Sequence, residues 1–346
     1  MSNDPSQSLL RWGIEHSAPG SLIPLAEDMK AGRRPDLNTD VLRAIMGTTD
    51  ADRMRDCMQV IDGTWVARDQ QGNVTDEGSK VTREDKLKAW DDLEMLVEDI
   101  DNAKDLKNLG LWPRITKHLT SDDDDVLMRA CWVCGTAVQQ YRPILVLAQK
   151  NNPQANTAFL EHDPLPTVNS LLSSETSSIS TRNKAMYCLS STLKHSPLAV
   201  ARFDQLDGWS TLRKCLQDPS LVVRNKTAFL LSQLVSQATD VIALLSTLRS
   251  SGVISGLLDA LSPASAVPTG PNGETESIDP ELKEKALRFF VNAVDATKGK
   301  SDALNPEEKN QVLKLAEEME GDADWSVDDL GLAQSEWANF KQALKA

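Results

Sequence analysis

At 346 residues the chain has room for two or three compact domains, or for one extended repeat array. A hydrophobic fraction of 40% with only 5% aromatics suits a layered helical core and is light for a large globular enzyme. The formal net charge of −14 sets the molecular field against phosphate backbones and disfavours nonspecific nucleic-acid binding.

No apolar run approaches the ~20 residues that span a bilayer, and the start lacks the basic and apolar pattern of a secretory signal. The five cysteines, at 57, 131, 134, 188 and 215, are an odd number and fall mostly on apolar helical positions, so they read as reduced core thiols. A monomeric cytoplasmic protein, with the nucleus also open to it, is expected.

Residues 1–80 read as a separate, flexible helical segment. Within it Leu9-Leu10-Arg11-Trp12-Gly13-Ile14 is a short amphipathic helix candidate, and Asp40 to Met46 is a second. Ser17-Ala18-Pro19-Gly20 and Arg33-Arg34-Pro35-Asp36 break the chain between them, and Asp69 to Glu84 is a polar linker.

From about 82 to 318 two helical phrases alternate. The first is a basic residue, usually followed by Ala, with an apolar residue or Cys five positions on. It begins at Lys88, Arg129, Lys184, Lys226 and Lys285, at intervals of 41, 55, 42 and 59. The second is a loop residue before an apolar helix ending in Leu. It begins at Gly110, Asp163, Gly208 and Gly252, at intervals of 53, 45 and 44. Glycine suits a turn with positive φ ahead of a helix, and Leu at steps of three and four is a core stripe. A period near 40 with helical pattern inside each unit marks an armadillo or HEAT solenoid, in which no unit can bury its face alone. The fold expected is therefore all-α, an armadillo-like right-handed superhelical solenoid over 81–318. An N-terminal helical extension (1–80) precedes it, and a capping tail (319–346) anchored by Trp337 and Phe340 follows.

Ser121 and the run Asp122 to Asp125 precede one repeat helix and suit its N-terminal dipole, a structural role. Pro219-Ser220 and Ser178 to Thr181 play the same starting part. The segment Ser262 to Pro280, rich in Pro, Ser, Gly and Thr, is a flexible insertion that lengthens the last interval. Cys131-x-x-Cys134 has the spacing of redox and zinc motifs but no second pair, so core packing is the favoured reading. No phosphate-binding loop or catalytic cluster stands out, and neither enzymatic activity nor a metal or cofactor is expected. The basic ladder Lys88, Arg129, Lys184, Lys226, Lys285 admits two readings, a partner-binding stripe or side chains that lie over their neighbours and pair with acids.

One segment is more specific. Leu93-Glu94-Met95-Leu96-Val97-Glu98-Asp99-Ile100-Asp101-Asn102-Ala103, continuing through Leu106…Leu109-Gly110-Leu111-Trp112, resembles the armadillo-type nucleotide exchange factors of the seventy-kilodalton heat-shock chaperone, fungal cytosolic branch. Gly135-Thr136-Ala137-Val138-Gln139, Arg182-x-Lys184-Ala185 and the opening Leu9 to Ser17 add to the likeness. It covers residues 8 to about 260.

The resemblance implies a concave armadillo face that embraces the chaperone's ATPase domain and speeds ADP release. It also implies an N-terminal segment (Leu9, Leu10, Trp12, Ile14) that engages the substrate-binding domain and promotes substrate release. The general setting it implies is protein folding, quality control and translation regulation. Carried onto matching positions, the chaperone contacts implied are Asn102, Ala103, Arg129, Gln139, Arg182, Lys184 and Lys226. Small Ala103 is expected at the surface of contact, so that Ala103→Arg would abolish binding and leave the fold intact. A generic armadillo scaffold for extended peptides is the alternative. It is weakened because Trp90 and Trp132 lack Asn four residues on, Glu94 and Thr136 standing there instead.

Overall fold

The computed structural model describes residues 48–66, 81–139, 152–261, 278–297, 303–321 and 325–345. Leu9, Leu10, Trp12 and Ile14, the helix read at 40–46, most of the linker and most of the 262–280 insertion lie outside the described residues.

Among the described residues there are sixteen α-helices, two short 3-10 helices and no strand. The first, α1 (Asp50–Asp62), starts at a Thr49 cap and stops where Gly63 turns left-handed at φ 72°. The long α2 (Arg83–Val97) begins with a capping box between Thr82 and Asp85. Four three-helix units follow. They are α3 (Ile100–Asn108), α4 (Trp112–Thr116) and α5 (Asp124–Val138); then α6 (Pro153–Leu160), α7 (Leu165–Ser173) and α8 (Ile179–Leu193). Next come α9 (Pro197–Gln205), α10 (Gly208–Cys215) and α11 (Leu221–Gln237); then α12 (Val241–Ser250), α13 (Val253–Ala260) and α14 (Pro280–Ala296). A 3-10 turn, Lys117–Thr120, extends α4, and α15 (Pro306–Glu320), a 3-10 turn at Val327–Leu330 and α16 (Gln334–Lys345) end the chain.

The two phrases of the sequence are two layers. Long helices α2, α5, α8, α11 and α14 each pack on the next, and every member of the basic ladder sits on one of them. The shorter α4, α7, α10 and α13 stack behind as a second layer. One apolar core runs through the stack, from Met54 on α1 to Leu344 on α16. The turn ahead of each second-layer helix needs a left-handed residue, supplied by Gly110 (φ 64°), Asp163 (φ 44°), Asp207 (φ 53°) and Gly252 (φ 72°). The third copy therefore departs from the expected register. Gly208 is already helical there, and it lacks a side chain because the Phe203 ring lies 2.3 Å from where a Cβ would stand.

Neighbouring units are tied along one edge. Arg83 donates to both Asp123 oxygens (2.7 and 2.8 Å) and to Asp125 (2.6 Å), while Asp124 accepts from Ser178 and Thr181 at 2.6 Å each. The acid run is thus structural as expected, with Asp123 rather than Ser121 as the side-chain cap. Ser178 caps α8, whereas Ser220 makes no side-chain cap on α11 and donates to Asn183 instead.

In the next unit Arg182 grips Asp218 with two bonds (2.7 and 3.2 Å), both side chains about nine-tenths buried or nearly so at 11% and 8% exposure. Removing one partner of such a pair leaves a buried charge. Arg182→Ala is expected to cost about 3 kcal/mol, and Arg182→Lys to recover only part of it because the fork is lost. Chemical denaturation would read both.

At the far end Trp337, Phe340 and Leu344 of α16 are 2–4% exposed, and Trp337 Nε1 donates to Glu320 on α15 (2.7 Å). Arg249 on α12 holds Glu308 on α15 with two bonds (2.8 and 2.9 Å). The tail is built into the stack. So is α1, which lies within the segment expected to stand apart, for its Met54 and Met58 are fully buried in the shared core.

Candidate functional site: the inner face of the long helices

On the long helices the residue three positions after each ladder member forms a second row. It reads Asp91, Trp132, Tyr187, Phe229 and Arg288, so three successive repeats present an aromatic ring. Three of the five basic residues reach back to this row on the preceding helix. Arg129 is held by Asp91 through two bonds (2.7 and 3.3 Å). Lys184 Nζ lies 3.2 Å from the centroid of the Trp132 ring, and Lys226 Nζ lies 5.9 Å from that of Tyr187. Lys285 breaks the pattern and pairs with Glu281 on its own helix. Lys88 is exposed beside Asp92 at 3.7 Å.

The ladder thus divides into two kinds of environment. Arg129 and Lys285 are neutralised by acids, while Lys184 and Lys226 lie on aromatic faces. Neither of these two lysines makes an ion pair among the described residues, and Lys226 donates to the Asn183 carbonyl (3.1 Å). Cation–π contact favours the ammonium, but burial costs it. Burial lowers the Lys184 amine to about 8, with the adjacent Lys226 charge adding to the effect, and burial alone lowers Lys226.

Beneath them Thr136 donates to Glu94 (2.7 Å) and meets the Tyr187 hydroxyl at 3.3 Å. Burial raises the Glu94 carboxyl despite that bond. Phe229 remains 41% exposed and Met95 68% exposed, so the row ends in open apolar surface on either side. The strip sets lysines and aromatic rings together on a chain of net charge −14.

The remaining expected contacts fall elsewhere. Ala103 is fully buried, packed in the core by α3, and offers no surface; the expectation for it is corrected. Asn102 is a tie, donating to the Leu96 carbonyl (2.9 Å) and to Asp50 (3.1 Å). Arg182 is the buried staple described above, and Arg129 is largely enclosed by Asp91 at 19% exposure. Gln139 ends α5 and accepts from Ser191 at 3.3 Å. Of the seven, Lys184 and Lys226 are the two left with their ammonium groups on the inner face and no carboxylate partner among the described residues.

Sequence reading missed the aromatic row, although a basic residue followed at the third place by Trp, Tyr or Phe was legible in three phrases. Trp90 has no role in such a row, being fully buried with its ring edge-on to His118. Gly135 lets the row form: a Cβ there would stand 2.6 Å from the Tyr187 ring and 3.1 Å from the Cys188 Cα. Gly135→Ala is expected to push Tyr187 off Thr136 and cost about 1–3 kcal/mol, read as a fall in melting temperature and a changed Tyr187 signal.

Cys131 and Cys134 are fully buried and burial pushes both thiols well up. Among the described residues no group of His, Cys, Asp or Glu is placed to hold a metal ion. In the native protein only Cys57, half-buried with its thiol at about 11, is expected to react measurably with a thiol reagent at neutral pH, slowly; the other four should wait for denaturant. A thiol-release time course checks this.

Two family profiles match the chain. One, described as nucleotide exchange factor Fes1, covers residues 6–106, and the other, the SIL1/FES1/HPBP1 C-terminal domain, covers 102–247. A curated relative from Schizosaccharomyces pombe, an Hsp70 nucleotide exchange factor fes1, is 32% identical over 232 residues, which are 67% of this chain and 70% of the relative. The chain belongs to the Fes1 family. The Hsp70 nucleotide exchange factor FES1 of Mycosarcoma maydis is 35% identical over 281 residues, 78% of this chain. The aligned stretch spans 64% of that relative's length. A designed armadillo repeat protein superposes with a TM-score of 0.57 at 13% identity, covering 84% of this chain and 99% of its own, a likeness of fold. The Fes1 profiles extend over the units that carry Trp132, Lys184, Tyr187, Lys226 and Phe229.

Proposed function

We propose that this Fes1-family chain is a nucleotide exchange factor that binds the ATPase domain of Hsp70 through the inner face of its long helices, accelerating ADP release. The observation that carries the reading is the strip of Lys184 on Trp132 and Lys226 toward Tyr187, bordered by exposed Phe229 and Met95. Cations held on aromatic faces at the centre of a concave surface, with apolar residues around them, have the make-up of an interface hot spot for an acidic protein surface. The names of the relatives support Hsp70 as that protein.

The chain needs no nucleotide site of its own. If it prefers an opened ATPase domain, it weakens ADP binding by the same factor that ADP weakens its own. Each tenfold in that coupling asks for about 1.4 kcal/mol of contact made only with the open form. The N-terminal segment (within 1–80), with Leu9, Leu10, Trp12 and Ile14, is proposed to engage the substrate-binding domain and promote release of bound polypeptide. A monomer acting in the cytoplasm, with the nucleus also accessible, fits this role.

Stopped-flow release of a labelled ADP from Hsp70 tests the reading. Substoichiometric chain should raise the release rate at least tenfold; a rate unchanged at saturating chain would sink it. The generic peptide scaffold predicts no such acceleration.

A further inference from the structure

We propose that the Lys184 amine is a selective acylation site, taking acyl groups from thioesters or comparably activated acyl donors without an enzyme. The geometry of the inner face singles it out. Its Nζ is seated on the Trp132 ring at 3.2 Å, the Tyr187 ring lies 5.9 Å away, and the same Tyr187 ring has Lys226 Nζ at 5.9 Å. Two amines of like charge therefore share one aromatic wall. No carboxylate is within ion-pair reach of Lys184 among the described residues, although Glu94 and Asp91 act on it from farther off. The residue is half-buried and not enclosed, so a small acyl donor can reach it.

The contrast with other lysines is chemical. Lys88 and Lys314 are 75% and 79% exposed, each loosely paired with an acid one turn along. Around Lys184 the groups that face the amine pull in both directions. Loss of water and the Lys226 charge favour the neutral amine; the indole face, Glu94 and Asp91 favour the ammonium. With the amine at about 8, roughly a tenth of it is in the nucleophilic form at neutral pH, where an ordinary lysine near 10.4 holds well under about a thousandth.

In the reaction the neutral Nζ attacks the thioester carbonyl carbon, a C–N bond forms and the C–S bond breaks. The thiolate leaves and takes up one proton, and the other proton lost by the ammonium passes to solvent. An amide replaces the cation on the Trp132 face. The reactivity does not depend on the exchange reading. Its consequence does, because acylation would then delete the charge of one of the two lysines on which that reading rests.

The test exposes the full chain to acetyl-CoA across pH 6.5 to 9.5 and reads acetylation of every lysine at early times by peptide mass spectrometry. At pH 7.5 Lys184 should be labelled on the order of tenfold faster than Lys88 or Lys314, the gain in free amine being partly offset by its lower basicity. Its rate should level off above about 8. Lys226→Gln should slow Lys184 severalfold at pH 7.5. A Lys184 rate no greater than that of Lys88, or a profile still climbing at pH 9.5, would overturn the proposal. If labelling runs as expected and the acetylated chain binds Hsp70 unchanged, the use of this lysine in exchange fails and the acylation site stands.

Discussion

Ala103→Arg is expected to unfold or strongly loosen the N-terminal units, not to produce a folded chain that has lost one contact. The Ala103 side chain has no accessible surface, and its helix α3 is pinned by Asn102 to the Leu96 carbonyl and to Asp50 on α1. A guanidinium at this position must either bury an unpaired charge or displace α3 from the core. Each route costs more than about 4 kcal/mol, against about 5–15 kcal/mol for the stability of a whole domain. In a solenoid the damage stays local at first, because each unit is stabilised by its neighbours. The variant should therefore show a lowered first transition in thermal or urea denaturation and loss of helical signal corresponding to α1 to α4. Ala103→Ser, small enough to fit, separates the two cases: it should remain folded and keep partner binding within about twofold. A folded Ala103→Arg chain with a wild-type melting curve would show that position 103 faces outward after all.

The repeat architecture was legible because both phrases encode burial. Ala89, Ala130, Ala185 and Ala286 are the residues beside the basic ladder that let long helices approach, and all are at most 6% exposed. What the sequence read less well was direction. Asn102, Ala103 and Arg182 sit in the segments that carry the resemblance, and such a segment can serve packing as readily as contact. Their burial and bonds here are those of core and staple residues.

Helix α1 was missed although Met54, Met58 and Ile61 follow four- and three-residue steps between a Thr49 cap and Gly63. Its mean hydropathy is low, so only the spacing gave it away. The left-handed turns were read from glycine, yet two of the four fall on Asp163 and Asp207, whose short polar side chains tolerate that conformation. Asp163 is further fixed by Arg202, which donates to both its oxygens (2.9 and 2.8 Å). The Asp-Pro pair at 163–164 thus makes the left-handed turn that glycine makes at 110 and 252.

Reversing both free cations, Lys184→Glu with Lys226→Glu, should abolish partner binding while the solenoid stays folded. The two Nζ atoms are joined to the structure by ring faces and one carbonyl, not by buried carboxylates, so their removal strands no charge in the core. The carboxylate at position 184 would lie near Glu94 and Asp91, and both carboxylates would repel an acidic partner surface. Interface residues of this kind are worth at least about 2 kcal/mol each when desolvated on binding. The double reversal is therefore expected to weaken affinity for the Hsp70 ATPase domain by more than about a thousandfold, using about 1.4 kcal/mol per tenfold.

Calorimetric titration at two salt concentrations gives the affinity, and far-ultraviolet circular dichroism checks the fold. The single variants Lys184→Gln and Lys226→Gln should each lose less than half of that free energy, since neutralisation removes attraction without adding repulsion. Reversal of Lys88, which lies outside the aromatic row and already leans on Asp92, should change affinity less than threefold. If the Lys88 reversal instead proves as damaging as the double variant, binding is governed by the charge of the whole face, and the aromatic seats have no special part in it.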